Sequence, residues 1–106
     1  MAPAQTLLPQ GHVAFVGAGP GDPELLTLRA MRLIGAAEVL LHDQLVPQEI
    51  LDLAAEDAVL VPVGKKGFGP SMKQDAINAL IIGHACSGAR VVRLKAGDPG
   101  VFGRLD

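Results

Sequence analysis

The 106-residue sequence predicts a single α/β domain, a parallel sheet with flanking helices. Three observations carry that expectation. Short β-branched runs alternate with helix-spaced apolar segments, the pattern of right-handed strand–helix–strand crossovers. Two glycine-rich turns, GAGPGDP at Gly17 to Pro23 and KAGDPGVFGR at Lys95 to Arg104, each follow such a run. A chain of this length buries one modest core. If both runs are parallel strands, the two turns fall on the same edge of the sheet, where open α/β folds bind ligands.

Met1 to Gln10 carry Pro3 and Pro9 without apolar periodicity and read as a disordered N-terminal arm, leaving 11–106 as the domain. His12 to Val16 is short, apolar and β-branched, as expected of a strand buried on both faces. After the glycine turn, Asp22 before Pro23 provides one helix start and Thr27 another. Leu28, Met31 and Ile34 then recur at helical spacing, with Arg29 and Arg32 on another face and an end near Gly35. Glu38 to Leu41 is the second strand, closing on His42 and Asp43. Pro47 opens a helix over Gln48 to Ala55.

Val59 to Val63 is the third strand, and Pro62 within it predicts an edge position or a strand end. Ser71 and Gln74 form a capping box for a helix carrying Ile77, Leu80 and Ile81, which Gly88 is placed to end. Arg90 to Leu94 is the fourth strand and leads into the second glycine turn.

Nine Lys and Arg against eleven Asp and Glu give a net charge of −2, with no basic stripe to track a phosphate backbone. Three phenylalanines are the whole aromatic complement, so base stacking has almost no platform. Nucleic acid is therefore not expected as a partner. No apolar stretch approaches the roughly 18 residues of a membrane span. The lone Cys86 closes no internal disulfide and reads as a small packed residue or an inert thiol; the first residues lack signal-peptide character. A cytoplasmic location follows as the expectation. His12, His42 and His84 share no metal-ligand spacing, and no metal is assigned.

Gly17, Gly19 and Gly21 form G-x-G-x-G, but the third glycine of a dinucleotide fingerprint belongs at position 22, which is Asp22. Pro20 also removes a backbone N–H where a pyrophosphate needs donors. The turn reads instead as a loop that lets an uncharged or zwitterionic ligand approach the backbone. Glycines after a strand also serve plain tight turns, and taken alone this one supports either reading. Gly97-Asp98-Pro99 repeats the Gly21-Asp22-Pro23 step after another β run, which favours a pocket between the two.

The stretches VGAGPGDPELLTLRA, LLHDQLV, VGKK, SMKQDAIN and VVRLKAGDPGVFGR, in that order, resemble the N-terminal half of the uroporphyrinogen-III C-methyltransferases, within the tetrapyrrole methylases. The resemblance runs from about Gly11 to Arg104. It implies a two-domain fold of which this sequence matches the first, S-adenosylmethionine as cofactor, and methylation of uroporphyrinogen III to precorrin-2 on the way to siroheme and cobalamin. It places Pro20, Ala96, Gly97, Asp98 and Val101 at the cofactor site and Asp43 and Lys65 at the acid/base positions. Without the family resemblance, Asp43 and Lys65 read as a turn-forming residue and a solvated cation.

Lys65, Lys66, Lys73 and Arg104 are candidates to meet the substrate's carboxylates. Where the family has Gly-Gly-Asp-Pro-Phe, this chain has Ala96-Gly97-Asp98-Pro99-Gly100, so the resemblance implies that a methyl at Ala96 crowds a backbone that must approach the cofactor and that Gly100 removes an aromatic wall. With one of two domains represented, weak binding, little activity and homodimerisation through exposed apolar surface are expected. A non-catalytic module of the same fold and a methylase of a later cobalamin precursor are the alternatives.

Overall fold

The computed structural model describes residues 8–63 and 74–97, and the backbone of 99–105. Five strands form one sheet: β1 (Val13–Ala18), β2 (Val39–Asp43), β3 (Val59–Val63), β4 (Val91–Lys95) and β5 (Pro99–Leu105). Their order is β3-β2-β4-β1-β5. The first four are mutually parallel, and β5 runs antiparallel to β1 along the outer edge. Helices α1 (Leu28–Ala36), α2 (Gln48–Leu51) and α3 (Gln74–Cys86) make the crossovers.

Alternation along the strands sorts the core into two layers. Val92 and Leu94 of β4 join Ala30, Leu33 and Ile34 of α1 and Ile50 of α2 on one face. Val91 joins Leu41 of β2 and Ile77 and Ile81 of α3 on the other. Both faces of β1, β2 and β4 are covered, which is why they read as continuous apolar runs, whereas the edge strand β3 is largely exposed.

The two candidate starts before α1 are both used. Asp22 Oδ1 accepts from Glu24 N at 2.9 Å and caps a single 3-10 turn, Pro23–Leu25; Thr27 Oγ1 accepts from Ala30 N at 3.0 Å and caps α1. Removing that acceptor by Thr27→Ala is expected to lower stability by about 1 kcal/mol, read as a fall in the urea midpoint at constant m-value. Gly88 ends α3 as expected, at φ +95°. Its N–H donates to Ala85 O at 3.0 Å and the next, Ala89 N–H, to His84 O at 3.2 Å, the paired bonds of a Schellman motif. Pro62 lies on β3, an edge strand, as its missing donor predicts.

Several expectations are corrected. The buried face of α1 is Ala30, Leu33 and Ile34, while Leu28 is 68% and Met31 37% exposed. At about 100° per residue, Leu28 and Ile34 stand some 120° apart and cannot share one face, whereas Ala30, Leu33, Ile34 and Ala37 fall within about 100°. Helix α2 stops at Leu51, because Leu53 N–H and Ala54 N–H bond three residues back, to Ile50 O and Leu51 O. The packed chain also begins earlier than Gly11: Leu8 is fully buried, its carbonyl accepts from Arg90 Nε at 3.0 Å, and Gly11 N–H donates to Ala89 O. Met1 to Leu7 lie outside the described residues.

Strand β5 is an addition to the expected layout. Pro99, Gly100 and Gly103 give Pro99–Leu105 the composition of a loop, yet it pairs with β1 from Ala18↔Pro99 to Val13↔Leu105, with an irregularity between Phe15 and Val16. An edge beside β1 would otherwise leave a row of backbone groups unpaired. Proline at the first position of such a strand costs no ladder bond that matters. Cys86 is exposed rather than packed. Among the described residues no helix is long and apolar enough to cross a membrane.

Candidate functional site

The site grows from the reversal of winding in the sheet. From β1 the chain moves through α1 to β2 and outward to β3, then returns through α3 to insert β4 between β2 and β1. Strands β1 and β4 are therefore neighbours whose connections depart in different directions, which opens a crevice beyond their carboxyl ends.

Strand β1 continues through Gly17 to Ala18, so the turn itself is made by Gly19, Pro20 and Gly21. Gly19 has φ +63° and Gly21 φ +98°, backbone that L side chains rarely adopt. A Cβ at Gly21 would stand 3.1 Å from Pro47 Cγ, so this glycine also lets the turn press against the start of α2. After β4, Gly97 makes the corresponding turn at φ +81°.

These turns face one concavity of ≈ 300 Å³. Ala18 to Gly21 form one wall, Ala96 and Gly97 a second, and Leu45 and Pro47, from the segment after β2, a third. Pro20 and Gly97 thus share the crevice that the sequence placed between the two turns. Among the described residues a Cβ at Gly19 or at Gly97 would meet nothing within 4 Å; Gly97 is exposed, whereas Gly19 is buried at the base of the turn. The Ala96 side chain, partly buried, packs against the core of the α1 face.

Asp43 ends β2 at this rim, and both of its oxygens are engaged. Oδ1 accepts from Arg93 Nη2 at 2.6 Å, and Oδ2 accepts from the backbone N–H of Ala96 at 2.9 Å. It stands one hydrogen bond behind the Ala96–Gly97 wall. Val101 is described by its backbone alone, paired with Val16 in β5. Lys65, Asp98, Lys66 and Lys73 lie outside the described residues, and of Arg104 only the backbone is described.

Leu45, Pro47 and Arg93 were not singled out for the site from sequence. Arg93 carried a readable signal, since a charge in the middle of the β-branched run VVRLK must find a partner. Leu45 and Pro47 carried none, because their place at the crevice depends on where β2 lies relative to β1. Among the described residues no group of three or more His, Cys, Asp or Glu is arranged to hold a metal ion.

The family model described as tetrapyrrole (corrin/porphyrin) methylases matches residues 12–106. The chain belongs to the tetrapyrrole methylase family. The chain is 58% identical over 94 residues to siroheme synthase 2 of Aeromonas hydrophila, covering 89% of the chain and 20% of that relative. It is 55% identical over 100 residues to siroheme synthase of Photobacterium profundum, covering 94% and 21%. It thus spans about a fifth of the length of these curated relatives.

Among solved structures, uroporphyrin-III C-methyltransferase from Thermus thermophilus superposes with a TM-score of 0.68 at 50% identity, covering 86% of this chain and 37% of that protein. Another structure of the Thermus thermophilus enzyme, in complex with S-adenosyl homocysteine, gives 0.65 at 48%, covering 86% and 35%. A cobalamin biosynthetic enzyme, cobalt precorrin-4 methyltransferase, matches at 24% identity with a TM-score of 0.69, covering 93% and 38%, which shows the shared fold.

Proposed function

We propose that this chain is the N-terminal α/β domain of an S-adenosylmethionine-dependent C-methyltransferase that converts uroporphyrinogen III to precorrin-2, with the methyl donor held between the two glycine turns. The observation that carries the reading is that Gly19 and Gly97, from the turns after β1 and β4, line one crevice, with no atom of the described residues within 4 Å of where a Cβ would stand at either. Left-handed glycines without a side chain let a ligand settle at backbone distance, and that fits a cofactor with a zwitterionic amino-acid portion.

When bound, S-adenosylmethionine supplies an electrophilic methyl group on a sulfonium. What the chain's own residues must add is alignment and exclusion of water, which is where most of the barrier reduction in such a transfer comes from. Leu45, Pro47 and Ala18 give the crevice apolar walls. Gly19 and Gly97 set how closely a ligand approaches the strand ends.

After the carbon is methylated a proton has to leave the tetrapyrrole. Asp43 is the acceptor in this reading: each carboxylate oxygen takes one hydrogen bond in the structure and keeps a second lone pair for the proton. The compensating proton is assigned to Lys65, on the family resemblance. Asp98 and Val101 are assigned to the cofactor side on the same ground.

Calorimetric titration with S-adenosylhomocysteine and with NAD tests the proposal. Saturable binding of the first and no heat from the second is expected. Binding of NAD, or of neither, overturns the cofactor assignment. With the chain extended to the length of its relatives, methyl transfer to uroporphyrinogen III tests the substrate.

A further inference from the structure

Arg93 sits in the middle of β4, with strands on both sides of it, and is 5% exposed. Its neighbours Val91 and Val92 show what that position ordinarily holds. A guanidinium there carries a large desolvation cost unless its donors are taken. They are taken in a particular way. Nη1 donates to the Leu94 carbonyl at 2.9 Å, which fixes the side chain against its own strand, and Nη2 donates to Asp43 Oδ1 at 2.6 Å.

The consequence lies at the other carboxylate oxygen. The parallel pairing of β2 with β4 runs from Val39↔Val91 to His42↔Leu94 and stops there. Two residues further, just past the end of β4, the N–H of Ala96 lies beyond that ladder, and Asp43 Oδ2 accepts from it at 2.9 Å. A side chain has taken the place of a strand carbonyl. The connection therefore runs from the Arg93 guanidinium through the Asp43 carboxylate to the backbone of the turn that forms one wall of the crevice.

We propose that Arg93 is a positioning residue that acts through Asp43 to fix the Ala96–Gly97 turn in its binding geometry. Arginine suits the task better than lysine because its planar fork serves the strand carbonyl and the carboxylate at once, holding the carboxylate plane in one orientation. Asp43 held in this way presents one oxygen to Ala96 N–H and keeps both at a constant distance from the crevice. The effect on ligand affinity rests on the cofactor reading above; the effect on the turn does not.

Amide hydrogen exchange by NMR and calorimetric titration with S-adenosylhomocysteine, on the chain and on Arg93→Lys, Arg93→Met and Asp43→Asn, test it. Asp43→Asn keeps the shape but offers an NH2 to one of two donors, so either Arg93 or Ala96 loses its acceptor. Arg93→Met keeps the stem and leaves Asp43 chemically intact; Arg93→Lys keeps the charge should the methionine variant fail to fold.

In all three, protection of the Ala96 amide is expected to fall about tenfold or more, while the amides of Val16 and Val92 keep theirs. Affinity for S-adenosylhomocysteine falls by a similar factor. A merely structural arginine would lower protection across the sheet together. Unchanged Ala96 protection in folded variants overturns the proposal, and so does unchanged affinity once protection has fallen. If the unsubstituted chain takes up no S-adenosylhomocysteine, the cofactor reading fails by itself, and the Ala96 amide still decides whether Arg93 holds the turn.

Discussion

Gly97→Val is expected to reduce affinity for S-adenosylhomocysteine by about 100-fold, the equivalent of roughly 3 kcal/mol. Two effects are combined in that substitution. At φ +81° a β-branched residue is strained by about 1–2 kcal/mol, which lowers the stability of the fold. The new side chain also enters the space in front of Gly97, where the described residues place no atom within 4 Å of a Cβ.

Gly88→Val separates the two. Gly88 has φ +95° and equally open surroundings, but it ends α3 and is not among the residues lining the crevice. Both variants should lose similar stability in urea. Only Gly97→Val should lose affinity in calorimetric titration. Equal losses of affinity would mean that left-handed strain spreads through the domain and that the space at Gly97 holds no ligand.

The largest effect on stability is expected from Leu40→Ala, a loss of about 2–5 kcal/mol. Leu40 is fully buried in β2, between two other strands and under the α1 face. Deleting its side chain removes apolar burial and leaves a cavity that regular strands on both sides cannot collapse to fill. A domain of this size has about 5–15 kcal/mol in total, so the variant stands close to unfolding.

Leu60→Ala provides the comparison. Leu60 is the cross-strand partner of Leu40 on the edge strand β3 and is 39% exposed. The same atoms are removed, yet less than half the loss is expected, because part of that surface is already in water. Urea unfolding with a falling midpoint and a constant m-value measures both. Equal losses would contradict the assignment of Leu40 to the core and Leu60 to the rim.

Much of the fold was legible because its signals are local. Strands β1 to β4 stand out as short apolar runs, and Pro62 marks β3 as an edge strand or a strand end, because its missing donor needs no knowledge of the neighbours. Thr27 and Gly88 marked helix ends through caps that involve residues within five positions of each other. The two glycine turns pointed to one rim because parallel strands put all their carboxyl ends on the same side.

What was missed depended on distant partners. Strand β5 has the composition of a loop and is a strand because β1 offers an edge to pair with. The phase of α1 was misread because two apolar stripes compete on that helix, and the sheet beneath selects the one with alanines that allow close approach. Leu8 falls in a stretch without apolar periodicity, yet it belongs to the packed domain, where Arg90, 82 positions away, bonds its carbonyl. Arg93 and Asp43 are 50 positions apart and meet because β4 inserts beside β2.

The sequence by itself determined the α/β class, the alternation of elements and the two turns where backbone is exposed, since each follows from torsional preference and apolar spacing along a short stretch of chain. The tertiary structure alone decided that Leu45 and Pro47 close the crevice, that Asp43 holds the Ala96 amide, and that a buried arginine stands behind it. Those features arise where strands distant in the chain are brought side by side, and the free energy that selects such a pairing comes from burial and hydrogen bonding across the sheet, which no local window of residues contains.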